Sequence, residues 1–198
     1  MSPMQPTVLA PGLLLAAPPL GDPNFSRSVV LLATHTTEGS IGWVLNGIEI
    51  APVARLLRDA GLVPDGVELP GTVSYENKAR VGGPVSPRSA WVLYRRDASF
   101  DHAGQLVLTE EWAGTGDRSV VEAIARGRGP TEFRMILGYA GWAPSQLDEE
   151  IRAGAWLPVG FDPGIVFDKD DGGMWERAYA QLVGVSPLAF TAMRPGSA

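Results

Sequence analysis

The chain has 198 residues, 45% of them hydrophobic, enough for one sizeable core without forcing a second. Its formal charge of −6 offers no positive field to hold a phosphate backbone or an anionic bilayer, and the lack of cysteine excludes disulfide frameworks, thiol nucleophiles and thiolate metal sites. The expected organisation is a single domain over 1–198, with its core from about 12 to 185 and its termini loosely attached.

The opening Met1-Ser2-Pro3-Met4-Gln5-Pro6-Thr7 lacks the basic start of a signal peptide. Leu13–Ala17 is apolar and bounded by Pro11, Pro18 and Pro19, so it reads as a buried strand. No apolar run approaches the ~20 residues of a membrane helix, and a cytoplasmic, membrane-free setting is expected. Ser28–His35 and Ile41–Asn46 follow as strands, and Thr37-Glu38-Gly39-Ser40 between them has the composition of a hairpin loop. Ala51–Ala60 spaces Val53, Leu56 and Leu57 as a short helix that opens beside Pro52 and closes at Gly61. Leu62–Asn77 reads as irregular.

Ala90–Arg95 and Gln105–Thr109 read as the two strands of a second hairpin, turned around Asp97–Asp101. Gly114-Thr115-Gly116 lacks the third glycine of a dinucleotide fingerprint and reads as a turn. Arg118–Arg126 is a helix stopped by Gly127, and Phe133–Tyr139 is a strand. Ser145-Gln146-Leu147-Asp148 has the form of a capping box, opening a helix that Gly154 ends. Trp156–Val159 and Ile165–Phe167 are expected as short strands. A last helix is expected from about Gly173 to Val183, with Asp170 or Asp171 as its cap and Trp175, Ala178, Tyr179 and Leu182 as its buried stripe. The tail Arg194–Ala198 reads as loose.

Candidate chemistry is thin. Asp168-Lys169-Asp170-Asp171-Gly172-Gly173 begins like a calcium loop, but Gly172 stands at its fifth place and Tyr179 at its twelfth, so an acidic helix-capping turn is the better account. Asp148-Glu149-Glu150 packs three carboxylates into one helical turn, where solvated capping outweighs acid–base work. His35 and His102 are the only histidines, so a three-histidine zinc site cannot form, and no Gly-x-Ser-x-Gly elbow supplies a serine nucleophile. No metal or cofactor is expected. Gly82-Gly83-Pro84 permits either an anion nest or a tight connection between strands, and the connection is preferred.

Several blocks carry a resemblance. Pro19-Leu20-Gly21-Asp22-Pro23-Asn24-Phe25-Ser26-Arg27-Ser28, then Gly39-Ser40-Ile41-Gly42-Trp43-Val44-Leu45-Asn46, resemble the opening of the YqgE/AlgH family. Val81-Gly82-Gly83-Pro84-Val85, the long run Leu137-Gly138-Tyr139-Ala140-Gly141-Trp142-Ala143-Pro144-Ser145-Gln146-Leu147, and Trp175-Glu176-Arg177 agree in order and spacing. Two departures stand out: Gly47-Ile48 follows Asn46 where the family commonly shows Arg-Pro, and Ser145 replaces a usual Gly, which is expected to strengthen the helix cap. The resemblance implies a bacterial cytosolic α+β protein, with a mixed, mostly antiparallel, bifurcated sheet folded into a pseudo-barrel and flanked by helices. It implies no reaction.

The leading expectation is a non-catalytic binding or regulatory module that takes an unidentified small molecule or protein partner, without direct nucleic-acid binding. Its candidate binding residues are Asp22, Asn24, Arg27, Asn46, Gly82, Gly83, Tyr139, Trp142 and Gln146, which mix aromatic faces with a few hydrogen-bonding groups. The rivals are a hydrolase drawing acid–base function from Asp22, His35 or Glu149, and a transcription-associated regulator lacking a recognisable DNA-reading element.

Overall fold

The computed structural model describes residues 9–64, 66–96, 100, 102–168, 172–184 and 186–187. In chain order these form β1 (Gly12–Ala16), β2 (Val29–Thr36), β3 (Gly39–Val44), β4 (Glu49–Pro52), α1 (Val53–Asp59), α2 (Val73–Glu76), β5 (Lys78–Val81) and β6 (Val85–Arg95). There follow β7 (Leu106–Val107), β8 (Trp112–Thr115), α3 (Arg118–Ala125), β9 (Phe133–Trp142), α4 (Gln146–Arg152), β10 (Trp156–Gly160), α5 (Pro163–Val166) and α6 (Met174–Ala178), which widens into a π turn over Tyr179–Val183. The architecture is α+β with a mixed, mostly antiparallel sheet that does not close on itself. Two compact units divide the chain, residues 1–46 with 141–198 and residues 47–140.

In the first unit the strand order is β10-β1-β2-β3, antiparallel throughout. Every residue of β1 is buried, which explains its unbroken apolar run: a central strand covered on both faces has no polar side to alternate with. The β2–β3 turn is tighter than its composition indicates, because Thr36 already pairs with Gly39 and only Thr37 and Glu38 are left at the tip. Trp175 and Tyr179, from the last helix and its π turn, both donate to the carbonyl of Ala16, at 2.8 and 3.1 Å. Burial raises the Tyr179 phenol above its ordinary value, which keeps it a donor.

In the second unit the order is β4-β5-β9-β6-β8-β7, with β5 and β9 parallel and the other pairs antiparallel. Val53, Leu57, Tyr75, Ile124 and Phe133 lead its core. Asp117 caps α3 by accepting the Ser119 amide at 2.8 Å, and that bond is the main reason its carboxyl titrates below the usual carboxylate range.

Several expectations change, the first being that Leu62–Asn77, read as irregular, holds the short helix α2. Gly114 and Thr115 lie in β8, fully inside the sheet, and β8 sits between β6 and β7, so the strands read as one hairpin are not paired with each other. Two glycines around a threonine carry turn composition, and only the neighbours on either side draw Gly114 and Thr115 into a central strand, with Gly116 left outside it. β6 begins at Val85 rather than Ala90; Pro87 hid this extension, and the register slip between Val85 and Ala90 accommodates it. Ile165–Phe167 is not a strand: Asp162 accepts the Ile165 amide at 3.1 Å and Pro163 opens the short helix α5.

The capping box at Ser145 does not form either. Ser145 adopts a left-handed conformation, φ 65°, with no side-chain cap bond; the bond there is to Gln146, whose Oε1 accepts the Ala143 amide at 3.0 Å. A residue with a Cβ pays for that backbone and glycine does not, so Ser145→Gly is expected to stabilise the chain by about 1 kcal/mol in chemical denaturation. An unchanged or lowered midpoint refutes it. The cap expected at Asp170 or Asp171, the calcium-like loop through Lys169, most of the turn at Asp97–Asp101, the opening Met1–Thr7 and the tail Arg194–Ala198 lie outside the described residues.

Candidate functional site

In the first unit the loop between β1 and β2 is built from side chains that turn back on the main chain. Asp22 accepts the Asn24 amide at 2.8 Å, and Asp22 and Asn24 are both exposed. Asn46 acts as one rung of a ladder: its Oδ1 accepts from the Val29 amide and its Nδ2 donates to the Arg27 carbonyl, both at 2.9 Å. Arg27 is itself left-handed, φ 56°. Its guanidinium pairs with Glu176 and lies 5.2 Å from the centroid of the Trp175 ring, a cation held between a carboxylate and an aromatic face.

Trp142 and Gln146 meet at Glu150. Its Oε2 accepts from the indole nitrogens of Trp142 and Trp156, at 2.9 and 2.8 Å, and its Oε1 from Gln146 at 2.9 Å. Phe25 stacks on Trp142 and meets Trp156 edge-on, with centroids 6.3 and 5.6 Å away, so the β1–β2 loop rests on this cluster. The three carboxylates of α4 therefore do different things. Glu149 is exposed, Glu150 gathers indoles, and Asp148 faces His35 with 3.4 Å between Oδ1 and Nε2. His35 Nδ1 is 2.8 Å from Ser40 Oγ, its cross-strand partner. A hydroxyl, an imidazole and a carboxylate thus stand in line, but Ser40 is only 4% exposed, which shuts its oxygen away from a substrate. Neither Asp22 nor Glu149 bonds His35 among the described contacts.

The same unit carries an open hollow of about 440 Å³, lined by Glu176, Arg177, Ala180, Gly184, Ser186 and Pro187. It forms where the last helix loosens into its π turn and stops at Gly184, φ 76°. A π turn widens the helix, and the small residues Ala180 and Gly184 leave the space unfilled. Both charges on the rim are anchored: Glu176 by Arg27, and Arg177 by Asp168, which accepts its Nε and Nη2 at 3.0 and 2.8 Å. Sequence reasoning placed Arg27 in the site but missed Glu176, Trp175 and Glu150. The block Trp175-Glu176-Arg177 was the available signal.

In the second unit Gly82, Gly83 and Tyr139 come together. β5 pairs with one side of β9 at Ile136 and Leu137, and β6 pairs with the other side at Tyr139, so Gly82-Gly83-Pro84 carries the chain across β9. A Cβ on Gly83 would stand 2.3 Å from the Tyr139 carbonyl carbon, and one on Gly82 would stand 2.7 Å from the Gly138 oxygen. The preferred tight connection is what this geometry shows. Tyr139 is half-buried and packs edge-on against Trp91, 6.1 Å between centroids. No group of three or more His, Asp or Glu side chains among the described residues is placed to hold a metal ion, and no described helix is long and apolar enough to cross a membrane.

Comparison with known proteins covers nearly the whole chain. A family model described as AlgH-like matches residues 13–187. A UPF0301 protein of Anaeromyxobacter dehalogenans strain 2CP-1 is 40% identical over 187 residues, 93% of each chain, and one of Ruegeria pomeroyi is 36% identical over 185 residues, 91% of this chain and 94% of the other. The solution structure of the AlgH protein from Pseudomonas aeruginosa superimposes with a TM-score of 0.73 at 32% identity, covering 100% of both chains. A crystal structure from Corynebacterium diphtheriae, 23% identical over 91% of this chain and 90% of that one, shares the fold with a TM-score of 0.67.

Proposed function

The chain belongs to the AlgH-like family, and from that premise we propose that it is a non-catalytic binding or regulatory module whose ligand or partner seats in the hollow at the π turn of its first unit. One observation carries this reading: the hollow is lined by two charged side chains already held by partners, together with the small residues Ala180, Gly184 and Ser186. Pre-oriented charges lose little freedom when a ligand arrives, and small residues leave room for it. Arg27 reaches the rim through Glu176, so the β1–β2 loop is coupled to whatever binds there. The enclosed Ser40 beside His35 speaks for binding over hydrolysis. The cysteine-free composition fits a reducing, cytoplasmic setting.

A thermal-shift screen of the full chain against metabolites and nucleotides tests this, because a ligand that prefers the native state and is present at a hundred times its Kd adds about 2.7 kcal/mol. Ala180 is exposed within the hollow, so Ala180→Leu is expected to abolish the shift while leaving the unliganded melting temperature nearly unchanged. A shift that survives Ala180→Leu at full size places binding elsewhere. No shift with any compound, together with no partner captured by the full chain, removes the reading.

A further inference from the structure

Asn46-Gly47 is the only Asn-Gly pair in the sequence; Asn24 precedes Phe25 and Asn77 precedes Lys78. Glycine has no Cβ to shield its amide nitrogen, and Gly47 lies in irregular chain between β3 and β4, outside any helix or strand. The Asn46 side chain also meets a donor. Its Oδ1 accepts the Val29 amide at 2.9 Å, a donor aimed at the oxygen on which negative charge develops when the amide carbon is attacked. From these residues we infer that Asn46 is a site of spontaneous covalent modification, an ageing point that releases the β1–β2 loop.

The chemistry needs only water. The Gly47 backbone nitrogen, giving up its proton, attacks Cγ of Asn46; the Cγ–Nδ2 bond breaks and ammonia leaves with the proton, so a cyclic imide remains. Water opens that imide at either carbonyl, leaving an aspartyl or an isoaspartyl link in place of the asparagine and adding one negative charge. In the aspartyl product the carboxylate still accepts from Val29 while an oxygen faces the Arg27 carbonyl, and in the isoaspartyl product the main chain itself runs through Cγ; in both, the Nδ2 donor that held the Arg27 carbonyl is gone. Arg27 has a left-handed backbone, φ 56°, and its carbonyl is the one this bond holds. Without it the loop opens and Arg27 leaves Glu176 and the Trp175 face.

The test ages the unmutated full chain in mildly alkaline buffer and follows it by intact mass and peptide mapping, with Gly47→Arg beside it. The expected result is conversion of amide to acid confined to the Asn46 peptide, several-fold slower in Gly47→Arg. The aged fraction, separated by charge, is expected to be cut by trypsin after Arg27 several-fold faster than fresh protein. Asn46 remaining an amide in the unmutated chain, or converting equally fast in Gly47→Arg, overturns the modification site. Equal cleavage of aged and fresh chains overturns the release of the loop. Ligand binding at the hollow is measured by a separate shift, so failure here leaves that reading standing.

Discussion

Gly83→Ala is expected to lower stability by about 4 kcal/mol or more, enough to depress the melting temperature by about 10 °C in a chain of this size. Two independent effects combine at this position. The backbone sits at φ 148°, a region that residues with a side chain rarely enter, and the added Cβ would stand 2.3 Å from the Tyr139 carbonyl carbon and 2.5 Å from the Ala140 nitrogen. Both neighbours are main chain in the middle of β9 and cannot rotate away. Gly61→Ala separates the two effects: φ is 68° there and nothing lies within 4 Å of a new Cβ, so it costs about 1 kcal/mol through conformation alone. If Gly83→Ala falls within experimental error of Gly61→Ala, the crossing of β9 is not as tight as the structure has it.

Glu150→Ala comes second, with an expected loss of about 3 kcal/mol in chemical denaturation. The substitution strands the indole N–H groups of Trp142 and Trp156, whose residues are 6% and 4% exposed, and a buried donor without an acceptor costs about 1–3 kcal/mol. Glu150→Gln keeps an oxygen for the two indoles and gives up only the bond from Gln146 Nε2, because the Gln146 oxygen stays with the Ala143 amide. That variant is therefore expected to lose about 1 kcal/mol. Because Phe25 packs on the same indoles, Glu150→Ala is also expected to change the tryptophan emission of the folded protein, which Glu150→Gln leaves nearly as it was. Equal stabilities for the two variants would show that the carboxylate gathers these donors without holding them.

These effects come from residues whose local sequence hides their work. Glu150 reads as one of three solvated carboxylates because a helix start favours acids in any case, and nothing nearby announces that two tryptophans, eight residues before and six after, fold onto it. Asn46 ends an apolar run, but its role as a substitute rung depends on where Arg27 and Val29 lie. Ser145 looks like a helix cap by type and spacing. Its backbone conformation, imposed by the turn out of β9, prevents the cap bond from forming.

What the sequence determined by itself was whatever depends on short-range physics. The apolar runs of β1 and β2, the helices closed by Gly61 and Gly127, the glycine pair at the crossing and the family to which the chain belongs could all be read from residue order, since periodicity, φ preference and motif spacing are local properties. Only the tertiary structure decided that β8 separates β6 from β7, that Ile165 lies in a helix, and that Arg27, Glu176 and Trp175 share one surface. Each of these rests on pairing between residues far apart in the chain. The free energy of such pairing belongs to the pair, and neither partner's own neighbourhood encodes it.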